Sequence, residues 1–71
     1  MDLWQAESGI EYIVDRIVCE DEDMEGFLFS LGCYGGEPIT VISRKKKMLV
    51  VSIKDGRYSI DRALAKTILL K

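Results

Sequence analysis

Phe29, Cys33 and Tyr34 set an aromatic ring, a thiol and a phenol around the glycines at 32, 35 and 36. Two other stretches carry charge in blocks: Asp21, Glu22, Asp23 and Glu25 on one side, Arg44, Lys45, Lys46 and Lys47 on the other. A cysteine nucleophile needs a neighbouring base, most often an imidazole. The chain has no histidine, which excludes His-based acid–base catalysis and the triad arrangements. Cys19 and Cys33 form no Cys-x-x-Cys, so neither a zinc site nor a disulfide framework is indicated, and both read as reduced thiols. The glycines are not followed by Gly-Lys-Ser/Thr, so they are turn residues rather than a phosphate loop.

The acidic run invites comparison with a calcium loop. Asp21, Asp23 and Glu25 would take positions 1, 3 and 5 and Gly26 position 6, but position 12, which needs a bidentate Glu, is Gly32. The run therefore reads as a solvated helix start. The basic run has no aromatic neighbour in sequence, which nucleic-acid readers of this size ordinarily interleave. It reads as a hairpin tip that discourages edge pairing, or as a docking contact for an acidic protein surface. No residue pattern calls for a catalytic centre, a metal or a cofactor.

These residues must be positioned by a small scaffold. A chain of 71 residues makes one domain, residues 1–71, with a marginal core. With 48% hydrophobic and 31% charged residues it is globular rather than disordered. A net charge of −2 lacks the basic footprint of a nucleic-acid protein. No apolar run approaches the length of a membrane span or of a signal-peptide core, and the expectation is a cytoplasmic protein.

Residues 11–19 are rich in β-branched and aromatic types and predict a strand, with a slip of parity that places a bulge near Asp15–Arg16. Met24, Phe27, Leu28 and Leu31 fall at helical spacing and predict one buried stripe. Asp21 or Asp23 caps that helix, and Gly32 suits the left-handed position past its end. Pro38 opens a strand with Ile39 and Val41 on one face and Ile42 on the other. Residues 44–47 form a charged turn, and 48–53 a central strand. Asp55-Gly56 signals a type I′ hairpin. Residues 58–60 return as a short strand, Asp61 caps one helical turn, and 66–71 close the chain as a last strand. Five short strands with tight turns favour an all-β, closed or partly open small barrel.

The same residues resemble a known family. Gly9, Tyr12 and Val14, then Leu31-Gly32-Cys33 with Gly36 leading into Ile39–Ile42, then Ile60, Ala65, Ile68 and Leu70, are similar to the ferrous-iron transport protein A (FeoA) family over nearly the whole chain. The resemblance implies an SH3-like barrel and a cytoplasmic, non-enzymatic accessory role in bacterial ferrous-iron uptake. Its implied partner is the FeoB-type GTP-binding permease, through the permease's cytosolic part. The same barrel occurs in metal-responsive repressors, so a regulatory or structural domain with another partner is the alternative. Family members often carry a basic residue near position 27, Leu or Met at 33 and Pro at 35; here these are Phe27, Cys33 and Gly35.

Two arrangements of the glycine-rich corner are open. Phe29, Cys33 and Tyr34 are exposed together as a docking surface, with Arg44–Lys47 as a second contact. In the other arrangement, Phe29 packs under the N-terminal segment against Trp4 and Tyr34 covers the end of the barrel.

Overall fold

The computed structural model describes residues 1–71. Its elements, in chain order, are a 3₁₀ turn at Leu3–Gln5, β1 (Glu11–Ile17), α1 (Glu22–Ser30), β2 (Pro38–Arg44), β3 (Met48–Ile53), β4 (Gly56–Asp61), α2 (Arg62–Ala65) and β5 (Ile68–Leu70). No helix is long and apolar enough to cross a membrane.

The strands form one antiparallel sheet in the order β4-β3-β2-β1-β5. β1 bends the sheet around its core. Its first half pairs with β2, from Glu11 opposite Thr40 to Ile13 opposite Pro38. Its second half pairs with β5, and the register slips between Val14 and Arg16. That slip is the bulge expected near Asp15, and an extra residue there sharpens local twist. A second bulge between Val41 and Ser43 turns Ile42 outward, where it is 41% exposed. The strand ends at Ile17, not at Cys19 as the β-rich composition suggested, because the chain leaves β5 for the α1 cap.

The core is apolar throughout. Val14 from β1, Ile39 and Val41 from β2, Leu49, Val51 and Ile53 from β3, and Ile68 from β5 are all sealed from solvent. Leu3 closes it from the 3₁₀ turn, and Leu64 and Ala65 from α2. Met1 and Asp2 lie along β5: the Leu70 amide donates to the Met1 carbonyl (2.8 Å), and Asp2 bridges Leu69. This N-terminal segment occupies an edge that would otherwise offer unpaired backbone to another chain.

Helix α1 starts at Asp21, whose carboxylate accepts from the amides of Asp23 (2.9 Å) and Met24 (3.3 Å). Glu22, Asp23 and Glu25 in the first turn complement its dipole. Of the four stripe residues only Leu28 is fully buried; Met24 and Leu31 flank it, and Phe27 is 50% exposed. The expectation for Phe27 is thus corrected. The helix rests on the barrel through Leu28 with Met24 and Leu31 half-buried beside it, and 100° of rotation from Leu28 carries Phe27 off the contact.

Candidate functional site

The end of α1 builds the corner that carries Phe29, Cys33 and Tyr34. The amide of Cys33 donates to the Leu28 carbonyl and that of Gly32 to the Phe29 carbonyl, each at 3.0 Å. These two bonds define a Schellman ending, with Gly32 at φ +91° in the left-handed position. Such endings bring the residue after the glycine against the residue that accepts its amide bond. Here that pair is Cys33 and Leu28, both buried in the core. Cys33 is 1% exposed, so it is not part of any exposed surface. The expectation of three residues exposed together is corrected: Phe29 is exposed, Tyr34 is half-buried, and the thiol lies beneath as a packing residue. Burial pushes the Cys33 thiol up to about 11, which keeps it protonated at neutral pH.

Phe29 remains outside, and Tyr34 is half-buried beside it. Phe29 is 64% exposed, and its ring lies 4.9 Å from that of Tyr34 at 33°. Phe29 therefore does not pack under the N-terminal segment, whereas Tyr34, half-buried, partly covers this end of the barrel. Lys54 completes the corner from the β3–β4 turn. Its ammonium donates to the Tyr34 hydroxyl (3.0 Å), lies 5.2 Å from the Tyr34 ring centre and stands 3.6 Å from the Glu37 carboxylate. The hydroxyl and carboxylate contacts hold the Lys54 ammonium above its ordinary pKa, the Tyr34 hydrogen bond being the largest cause.

Lys54 was not singled out by the sequence. The Asp55-Gly56 signal placed the turn one residue too late. In the structure Ile53 pairs with Gly56, so Lys54 and Asp55 are the two turn residues. Lys54 alone among non-glycine residues has a positive φ, 53°, whereas a type I′ turn needs it at both positions. Gly56 serves a different purpose: the Tyr58 ring folds over it where any Cβ would stand.

Between the end of α1 and this turn lies an open cleft of about 670 Å³, with Phe29, Tyr34, Lys54 and Tyr58 among its walls. Phe29 also borders a second cleft of about 400 Å³ with Glu22 and Glu25, and a third of about 220 Å³ with Asp15 and Arg16. All three concavities of the molecule therefore share one exposed ring. The arrangement can grip an apolar side chain beside a cation.

Arg44–Lys47 lies at the other end of the β2–β3 hairpin. These four residues are exposed. The structure gives the run the aromatic neighbour that sequence did not show: the Arg44 guanidinium lies over the Trp4 ring at 4.9 Å, and that of Arg62 at 5.6 Å. The Arg44 guanidinium also donates to the Ala6 carbonyl (2.8 Å).

Among curated proteins, none matches the chain. Among solved structures, a Stenotrophomonas maltophilia FeoA complexed with zinc, described as a procaryotic SH3 domain protein, superposes with TM-score 0.90 at 17% identity, over 100% of this chain and 89% of that one. An FeoA described as an iron uptake regulatory protein gives TM-score 0.87 at 21% identity, over 100% and 95%. A manganese-dependent transcriptional repressor gives 0.87 at 24% identity over 96% of this chain, which spans only 39% of the repressor's length. The fold is thus the SH3-like barrel that the resemblance implied, and it agrees with the five-stranded sheet described above. The sequence profile of the FeoA domain matches residues 1–71, from the 3₁₀ turn to the last strand, and the chain belongs to the FeoA domain family.

Proposed function

We propose that this chain is a cytoplasmic accessory protein of bacterial ferrous-iron uptake, a non-enzymatic module that docks on the cytosolic GTP-binding part of an FeoB-type permease and modulates it. The observation that carries this reading is the exposed Phe29 ring, stacked on a half-buried Tyr34 and bordering all three clefts, on a chain that the FeoA domain matches from end to end. An exposed phenylalanine backed by a half-buried tyrosine and a tethered lysine has the composition of an interface anchor: aromatic surface is enriched at protein contacts and supplies their strongest single residues. Docking would bury Phe29 against an apolar side chain of the partner, with Lys54 close enough to meet an acidic group beside it.

The test is a binding titration of the purified cytosolic portion of the cognate permease. Phe29→Ala is expected to weaken the complex at least tenfold while leaving thermal stability unchanged. Undiminished affinity in that variant would remove the corner from the interface.

A second reading follows from the repressor likeness. A barrel of this shape forms part of a larger metal-responsive regulator, so the domain would then contact a regulator or a second copy of itself. In that case the cytosolic portion of the permease does not bind at all, and the same titration separates the two.

A further inference from the structure

The basic end of the barrel is more than a solubilising tip. Arg44, Lys45, Lys46 and Lys47 are joined there by Arg62, because the amide of Arg62 donates to the Lys47 carbonyl (3.2 Å) and docks the start of α2 against the hairpin. Trp4 holds the two guanidiniums together across its ring. All five cations are exposed, and none forms an ion pair: the two ion pairs of the molecule are Arg16–Asp15 and Lys54–Glu37. The nearby carboxylates, Asp2 and Asp61, are each engaged as helix caps. A chain of net charge −2 therefore gathers half of its ten basic residues at one uncompensated pole.

The shape of this pole narrows what it fits. None of the three clefts is lined by any of these five residues, so there is no recess for a peptide. Nucleic-acid binders of this size stack bases on free aromatic faces. The one tryptophan here already carries the chain's own guanidiniums over its ring. What remains is a tip of long, exposed cations with a half-buried Trp at its base. That combination suits a broad, fluid, negatively charged plane. Anionic lipid attracts clustered Lys and Arg additively, and Trp is enriched at the level of the headgroups.

We propose that the Arg44–Lys47 hairpin, with Arg62 and Trp4, is a direct contact for the anionic lipid surface of a membrane. This goes beyond docking on a permease, and it holds whether or not that docking occurs. At the other end of the same hairpin, the Phe29–Tyr34 corner would then face away from the bilayer.

The experiment uses the full chain and vesicles of phosphatidylglycerol and phosphatidylcholine, with phosphatidylcholine alone as reference. Co-sedimentation gives the partition, and Trp4, the sole tryptophan, reports the contact by its emission. Binding is expected on the anionic vesicles only, with a shift in Trp4 emission, and is expected to vanish in 1 M salt as the Debye length falls to about 3 Å. Lys45→Gln, Lys46→Gln and Lys47→Gln together should lower partition about 100-fold, roughly fivefold for each charge. Lys54→Gln with Arg57→Gln, at the other end of β3, should not lower it. No partition at low salt, or a triple variant that partitions normally, overturns the proposal. Tighter binding to a poly-glutamate peptide or to an oligonucleotide than to vesicles of equal anionic charge also overturns it, in favour of an acidic protein or a nucleic acid.

Discussion

Cys33 owes its position to the end of a helix. A Schellman ending needs a glycine and then an apolar residue that folds back on the helix, and Cys33 fills the second role against Leu28. A buried neutral thiol has a pH signature. Its pKa in the folded chain, about 11, lies above the ordinary 9.0. The folded state then holds the proton after the unfolded state has lost it. Stability from this group is complete below about pH 9 and is lost as pH rises towards about 11, on the order of 2 kcal/mol across that window. Denaturant titrations at several pH values should show this slope in the native chain and a shallower one in Cys33→Ala, where only Lys54 still titrates above its ordinary pKa. In the folded protein at neutral pH, iodoacetamide should modify Cys19, which is half-buried, well before Cys33. The sequence singled out Phe29, Cys33 and Tyr34 as a group, but it could not divide them. Position relative to Gly32 was legible. Which of the three turns inward depends on the two amide bonds that follow the helix.

Helix α1 and the β3–β4 turn meet at the same corner, and each tests a different kind of packing. Leu28 is the one fully buried residue of α1. Leu28→Ala should cost about 2–5 kcal/mol, and amide exchange in 22–31 should rise with it, whereas Phe27→Ala should stay within about 0.5 kcal/mol. In the turn, an alanine at 56 must displace the Tyr58 ring. Gly56→Ala should cost about 1–3 kcal/mol in the native chain and much less in a Tyr58→Ala background. Equal costs in the two backgrounds would show that the ring is not the obstacle. Elements were the most legible scale in the sequence. Asp21 and Asp61 as caps, the bulge at Asp15, the charged turn and the five strands all stand as expected. The misses have local causes. Asp55-Gly56 is a strong I′ signal, yet the register of β3 against β4 puts Lys54 in the turn and leaves Gly56 to make room for Tyr58. Helical spacing grouped Phe27 with Leu28 because periodicity finds a face, not how wide the contact beneath it is.

At the scale of the whole molecule, the β2–β3 hairpin separates two surfaces. Seven residues of β2 at about 3.3 Å each place the basic pole roughly 20 Å from the Phe29–Tyr34 corner. Neither surface could be assembled from sequence alone. Trp4 and Arg62 come to Arg44 from opposite ends of the chain, and Lys54 comes to Tyr34 from another hairpin. The separation predicts that their effects are independent. Phe29→Ala should lose the permease fragment and keep anionic vesicles; the triple lysine variant should do the reverse. The central claim, that the aromatic corner is where this FeoA-family chain meets its partner, is tested most directly by a two-dimensional amide NMR titration with the cytosolic GTP-binding portion of the cognate permease. The account predicts shifts or broadening clustered at residues 27–36 and at Lys54, with Arg44–Lys47 undisturbed. Perturbation confined to the basic hairpin, or none at high concentration, would contradict it.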